Sequence, residues 1–275
     1  MSILIADSGG TKTTWLYQNQ QYESIGLNPN GMNEIDIENH IKNEIQNQFK
    51  DVKKIYFYGA GCATQNNQLL MKNIFSRYFP TAFVAIENDL MAVAKVFCGD
   101  EKGTIGILGT GSNIAYFDGK KLYGEELNLG YILGDEGSGA YLGKKLLIDF
   151  LHQKLPKNIH QKLLDTYPDL NRNFIIDAIY KQKNANRFLA KFAVFLNQNR
   201  EDNYIFELID NAFSTFLSTY LPLLPKESQK FPLHFVGGVA YHFQDILFKN
   251  IEKNNYITGE VAQNPIEKLK KYHYS

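Results

Sequence analysis

Short apolar runs that stop at a glycine or an acid recur along the chain, and they predict an alternation of strands and helices. Residues 2–6 form the first run, which ends at Asp7. Beyond the glycines, Thr13-Thr14-Trp15-Leu16-Tyr17 is β-branched and aromatic, predicting a second strand rather than a helix. The polar cluster Gln18-Asn19-Gln20-Gln21 then predicts a hairpin tip. Residues 33–49 carry Ile35, Ile37, Ile41, Ile45 and Phe49 at roughly helical spacing behind acid-rich early turns. Ile55-Tyr56-Phe57-Tyr58 reads as a buried strand broken by Gly59-Ala60-Gly61, with a helix following over 66–78. A strand over 82–86 runs to Glu87-Asn88-Asp89, and 90–98 predicts a helix.

Near Gly103 the pattern restarts. Thr104 to Leu108 predicts a strand, Gly109-Thr110-Gly111-Ser112-Asn113 a turn, Ile114 to Phe117 a strand, and Asp118-Gly119 a tight hairpin turn. A strand–glycine turn–strand unit therefore occurs twice, which suggests two related lobes. Residues 138–230 are mostly helical in pattern. Leu233-His234-Phe235-Val236 predicts a late strand closed by Gly237-Gly238, then one helix with Ala240, Phe243, Ile246, Leu247 and Ile251 on a single face. No low-complexity linker divides the chain.

Composition narrows the class. A chain of 275 residues exceeds one small core and fits about two domains. Hydrophobic residues at 44% and charged residues at 21% fit a globular fold and exclude a disordered one. Formal net charge is zero and no Lys/Arg stripe occurs, which argues against a nucleic-acid partner. Cys62 and Cys98 are the only cysteines and have no metal-ligand spacing, so two reduced thiols are expected. The amino-terminal apolar run is too short and lacks the basic lead of a signal sequence, and no run approaches a membrane span. A cytoplasmic location and no membrane partner are the expectations.

Five stretches and the single residue Asp89 carry candidate chemistry. Asp7-Ser8-Gly9-Gly10-Thr11-Lys12-Thr13 places Lys12-Thr13 behind glycines, as a P-loop does, but Thr11 precedes the lysine and a strand follows. What remains is a strand–turn–strand clip whose glycines let backbone N–H groups approach anionic oxygens. Asp7 at the strand end would face Mg²⁺ through water. A plain glycine hairpin with Asp7 in an Asx-type turn is the alternative. Gly109 to Asn113 is a second such cradle, and two in matching positions are stronger than either alone. Gly237-Gly238, at a strand–helix junction, leaves room for a flat ligand or for close packing. Asp89 lies where a strand meets a helix, as an ionised carboxylate able to take a hydroxyl proton or as a plain N-cap. Gly134-Asp135-Glu136-Gly137-Ser138-Gly139 is either a capping turn with Ser138 as N-cap or a carboxylate site for hydroxyl groups. Asn28, Asn30 and Asn33 offer amides in a loop that is also ordinary turn material. The six histidines show no ligand spacing, and structural roles are expected for His234 and His242.

Taken in order, these motifs resemble the N-acetylglucosamine kinase branch of the BadF/BadG/BcrA/BcrD ATPase family, within the sugar kinase–actin superfamily. The resemblance rests on Asp7 to Thr13, Asp89, Leu108 to Asn113, Gly134 to Ser138 and Val236-Gly237-Gly238-Val239-Ala240. It implies an α/β fold of two ribonuclease-H-like lobes closing over ATP-Mg²⁺ and an amino sugar. It implies lobes at 1–103 and 104–275, with the last helix folding back on the first lobe. By the resemblance Gly9, Gly10, Thr11 and Lys12 form the first phosphate turn, Gly109, Thr110 and Gly111 the second, and Gly237 and Gly238 the adenosine loop. Asp89 matches the catalytic carboxylate, and Asn30, Thr110, Asn113 and Asp135 match sugar contacts. The implied reaction is phosphorylation of N-acetylglucosamine or a close relative, at the 6-hydroxyl, with a homodimer left open. The animal kinase places Trp just after its sugar-binding Asn, whereas Gly31-Met32 stand here and the only Trp is Trp15. Two alternatives remain: an ATPase activator of a dehydratase or reductase, and a non-catalytic sugar or nucleotide sensor of the same fold. The activators hold an iron–sulfur cluster with cysteines after the second turn, but both cysteines here precede Gly109.

Overall fold

The structure, a computed structural model, describes residues 2–274. It contains two five-stranded mixed sheets, each with helices packed on it. The first sheet has the order β3-β2-β1-β4-β5, from β1 (Ile3–Ser8), β2 (Lys12–Tyr17), β3 (Gln20–Ile25), β4 (Lys54–Gly59) and β5 (Phe83–Asn88). The second, read in the same sense, has the order β8-β7-β6-β9-β10, from β6 (Gly103–Leu108), β7 (Ser112–Phe117), β8 (Leu122–Tyr123), β9 (Pro232–Val236) and β10 (Ile257–Ala262). In both sheets the first three strands are an antiparallel meander and the last two run parallel to the first. The two sheets thus share one topology, which is the two-lobed α/β arrangement that the repeated pattern predicts.

In the first lobe α1 (Glu34–His40) runs through a π-helical turn into α2 (Gln46–Gln48), and α3 (Gln65–Tyr78) precedes β5. A helical block occupies the middle of the second lobe: α5 (Gly130–Leu133), α6 (Gly139–Leu151), α7 (Lys157–Thr166), α8 (Arg172–Tyr180), α9 (Ala185–Ala190), α10 (Phe192–Gln198) and α11 (Asn203–Tyr220). Its core joins Leu142, Leu146, Phe192, Phe213 and Phe216 to Leu233 and Phe235 of β9.

Two helices connect the lobes. The helix α4 (Asp89–Phe97) is apolar nearly all round, a pattern that fits burial on more than one face. Ala92 packs with Ile3, Ile5, Leu16 and Tyr58 of the first lobe. Leu90, Val93 and Ala94 pack with Ile105, Ala115, Phe117 and Val236 of the second. The last helix, α14 (Ile266–Tyr274), returns to the first lobe and sets Ile266 and Leu269 against the face of β1 that α4 also covers. His273 on it stacks on Tyr56 at 3.9 Å and meets the Tyr58 hydroxyl at 2.9 Å. Burial pushes that imidazole down to about 4, so it docks neutral.

Three expectations need correction. The helix after Gly237-Gly238 is two helices, α12 (Gly238–His242) and α13 (Gln244–Lys253), because Phe243 (φ −118°, ψ 25°) leaves helical geometry. β10 was absent from the sequence reading: ITGEVA has no fully buried position and lacks the alternation that marks a strand. The hairpin tip is confined to Gln18 and Asn19, with Gln18 at φ 56°, and Gln20 already begins β3.

Close approach of α6 to α9 depends on Gly143, where a Cβ would stand 1.9 Å from the Leu189 carbonyl oxygen. Gly143→Ala is therefore expected to cost about 1–3 kcal/mol and lower Tm by roughly 3–10 °C in thermal unfolding. A shift under about 1 °C would contradict this packing.

Candidate functional site

The two glycine turns lie side by side at one end of the cleft between the lobes. In the first turn Gly9 N–H donates to Lys12 O at 3.0 Å, and the Ser8 hydroxyl meets the Thr13 hydroxyl at 2.8 Å. Gly26, after β3, donates to Thr11 O at 3.0 Å, and a Cβ there would stand 2.3 Å from Gly9 O. Only glycine lets the chain back so closely against the turn. In the second turn the first amides of α6 donate inward: Gly139 N–H to Gly109 O at 2.8 Å and Ala140 N–H to Thr110 O at 3.1 Å. Because the peptide is planar and trans, fixing those carbonyls aims the N–H groups of Thr110 and Gly111 the opposite way. Among the described residues the N–H groups of Gly10, Thr11, Thr110 and Gly111 donate to no protein acceptor. The turns touch through their hydroxyls, with Thr11 Oγ1 and Thr110 Oγ1 3.0 Å apart. This arrangement can surround an anion with backbone donors from both lobes.

Asp7 is the penultimate residue of β1 and Asp89 begins α4. The N-cap is Asn88, whose side chain accepts from Leu90 N–H at 2.7 Å; Asp89 is the first helical residue and accepts from the same N–H at 3.0 Å. The plain N-cap reading of Asp89 is thereby corrected. Both carboxylates keep slight exposure at the cleft floor but are densely surrounded by protein. Burial pushes Asp89 up to about 6. Burial, followed by the Asp89 charge, pushes Asp7 up to about 7. The sequence reading of a firmly ionised Asp89 is modified accordingly: burial brings its titration up to about 6.

Asp135 takes φ 61°, an uncommon conformation for a residue other than glycine. Its Oδ1 accepts from Ser112 N–H at 3.1 Å and from Asn128 Nδ2 at 3.2 Å, so it braces the second turn from beneath. Burial raises its pKa against these hydrogen bonds. Glu136 instead accepts from the Tyr220 hydroxyl at 2.5 Å, and Ser138 caps α6 as the sequence suggests. Asn30 is exposed; its Oδ1 accepts from Asn67 Nδ2 at 2.7 Å, which leaves its own NH₂ available. Asn113 accepts from Ile114 N–H at 2.9 Å, and its Nδ2 reaches Glu125 O at 3.4 Å. Gly237 has φ 121° and a Cβ there would stand 2.2 Å from Leu108 O, whereas Gly238 faces open space. Lys12 has its ammonium paired with Glu23 on the exposed hairpin.

Sequence reasoning missed Asn67, Asn128 and Arg187. Arg187 on α9 crosses the cleft to donate Nη2 at 2.8 Å and Nε at 3.3 Å to Gly10 O. None of the three sits in a glycine-bounded motif, so no local signal marks them. Among the described residues no cluster of three His, Cys, Asp or Glu could hold a metal by itself. A Mg²⁺ ion at this site would therefore be held mainly by phosphate oxygens and water, with Asp7 facing it. Burial pushes the Cys62 thiol up to about 12 and Cys98 up to about 11, which disfavours the thiolates a cluster would need. His234 stacks on Phe97 at 4.9 Å and its Nδ1 accepts from Glu260 N–H, a structural role. No helix among the described residues is long and apolar enough to cross a membrane.

The raised carboxylates carry a stability sign. Folding binds protons at Asp7 and Asp89, so their stabilising contribution is complete below pH 3.8 and is lost as pH rises through about 6 and 7. Asp89→Asn keeps an acceptor for Leu90 and removes the charge. Its Tm should exceed that of the parent at pH 8 and converge with it near pH 4. A Tm below the parent at pH 8 would contradict the burial cost.

No family model matches the chain, and no curated protein matches it. Solved structures do. The putative N-acetylglucosamine kinase of Porphyromonas gingivalis is 33% identical with a TM-score of 0.92, over 99% of this chain and 98% of that one. The putative N-acetylglucosamine kinase of Chromobacterium violaceum is 17% identical with a TM-score of 0.73, over 98% of each chain. A ROK family glucokinase of Streptomyces griseus, in complex with glucose and AMPPNP, is 15% identical with a TM-score of 0.56, over 95% and 93%. The latter two bear on the fold alone.

Proposed function

The chain belongs to the sugar kinase family that includes the Porphyromonas gingivalis protein, and from that premise we propose that it transfers the γ-phosphoryl group of ATP to an amino sugar. In this proposal the acceptor is the 6-hydroxyl of N-acetylglucosamine or a close relative, and the branch is the N-acetylglucosamine kinase branch of the BadF/BadG/BcrA/BcrD ATPases. One observation carries this reading: four backbone N–H groups without protein acceptors, two from each clasped turn, lie beyond the strand that carries Asp7, whose carboxyl feels the charge of Asp89.

In the proposed reaction the sugar oxygen attacks the γ-phosphorus, the bond from that phosphorus to the β,γ-bridging oxygen breaks, and ADP leaves. The hydroxyl proton passes to Asp89. Phosphoryl transfer needs positioning and charge stabilisation more than a strong base, and a carboxylate near pKa 6 suits that late proton transfer. The N–H groups of Gly10, Thr11, Thr110 and Gly111, with the two threonine hydroxyls, would stabilise charge on the phosphoryl oxygens. Mg²⁺, when bound with the nucleotide, supplies neutralisation of the phosphate charge. Gly237 and Gly238 would back the adenosine. The free NH₂ of Asn30, together with Thr110 and Asn113, would orient the sugar. Asp135, whose Oδ1 holds the turn, would use its remaining acceptor capacity on a sugar hydroxyl. The cytoplasm, where ATP is abundant, is the proposed location.

Coupled ADP release should respond to N-acetylglucosamine with a kcat/KM above that for glucosamine, N-acetylmannosamine, N-acetylmuramic acid or glucose. Silence with every sugar would overturn the reading. Asp89→Asn should lower kcat by about 10²–10⁴-fold with little change in the sugar KM. In the parent protein kcat should fall as pH drops through about 6, because protonation of Asp89 removes the base. An Asp89→Asn protein with undiminished turnover would sink the mechanism.

A further inference from the structure

We propose that Arg187 is a positioning residue that fixes the Gly10–Thr11 peptide so that the Thr11 N–H faces the nucleotide phosphates. The inference rests on the kinase reading above and extends it to a residue outside every recognised motif. Arg187 directs two donors, Nη2 at 2.8 Å and Nε at 3.3 Å, onto the one carbonyl oxygen of Gly10. In a planar trans peptide that C=O and the following N–H point in opposite directions. Holding Gly10 O therefore sets where Thr11 N–H points, and that N–H has no protein acceptor among the described residues. Gly10 needs such a hold. A Cβ at Gly10 would meet nothing closer than Asn186 Nδ2 at 3.9 Å, so packing does not fix its peptide, and glycine permits either orientation.

The guanidinium is placed firmly enough for this work. Its helix, α9, lies against α6 at backbone contact through Gly143. The first amides of α6 in turn hold the carbonyls of the second turn. Arg187 is thus mounted on the framework that aims Thr110 and Gly111, and it aligns the first turn with the second across the cleft. It is half-buried, and no carboxylate among the described residues pairs with it. The charge is thus uncompensated beside a turn suited to polyphosphate. Lys12, the cation within the turn itself, is paired with Glu23. Lysine could not replace the arginine, since a single ammonium lacks the rigid fork that presents two N–H groups to one oxygen.

The test is calorimetric titration of AMPPNP, ADP and adenosine into the parent protein, Arg187→Met and Arg187→Lys, with Tm as a check of folding. Arg187→Met should bind AMPPNP and ADP roughly 10–100-fold more weakly and adenosine unchanged. In turnover the ATP KM should rise with the sugar KM unmoved, a split that general destabilisation would not produce. Arg187→Lys should fall between the two and carries the test if the Met variant does not fold. Parental AMPPNP affinity in Arg187→Met, or an equal loss for adenosine, would overturn the inference. A lysine variant equal to the parent would assign the effect to charge alone and overturn the positioning role. The readout is binding, so it stands apart from sugar phosphorylation: a parent protein that binds AMPPNP but turns over no sugar refutes the sugar reading alone. A parent protein that binds no AMPPNP refutes both.

Discussion

The helix α4 is buried between the two lobes, and the candidate site depends on that placement. Its alanines and valines pack against β1 and β2 on one side and against β6, β7 and β9 on the other. Burial of apolar surface on two faces favours the association of the lobes without a linker holding them. The helix also carries Asp89 at its first position, at the junction of the two sheets. The carboxylate is therefore referenced to both lobes at once. A residue mounted on one lobe alone would move relative to the opposite turn whenever the cleft opened.

The turns follow a related logic. Each projects from the meander of its own sheet, so the same topology delivers two equivalent clips facing each other. Their carbonyls are held by protein donors: Gly26 and, from the opposite lobe, Arg187 for the first, the first turn of α6 for the second. Peptide planarity makes three of those contacts, on Gly10 O, Gly109 O and Thr110 O, set the directions of the Thr11, Thr110 and Gly111 N–H groups. The cost is concentrated in the acids. Asp7 and Asp89 are both driven toward the neutral form by burial, Asp7 further by its neighbour's charge, so their ionised forms are unfavourable for folding.

Much of the fold was legible because its signals are local. The repeated strand–glycine turn–strand unit marks β1–β2 and β6–β7, and the apolar run after Asp89 marks α4 as a buried helix. What escaped the sequence depends on partners remote in the chain. β10 is half-covered on both faces, so its side chains show no alternation, and its pairing with β9 defines it. Phe243 packs in the second lobe's core like its neighbours on either side, so periodicity runs straight through the break between α12 and α13. At the site, the glycines and Asp89 stood out by type and spacing. Arg187 did not, since an arginine in a short helix is ordinary until the fold carries it 177 positions back to Gly10. Asp135 was legible as unusual, yet its hold on Ser112 N–H needs the three-dimensional turn.

The docking of α14 on β1 bears on how the protein is made. One face of the first sheet, with Ile3, Ile5 and Leu16, is covered by Ile266 and Leu269 and by the stacking of His273 on Tyr56. During synthesis those residues follow β1 by most of the chain, a delay of roughly 15–50 s at ordinary elongation rates. Throughout that interval α4 alone covers that face, through Ala92, and the part later taken by α14 stays uncovered. Removal of α14 from Ile266 onward would leave that part of the face exposed in the finished lobe as well.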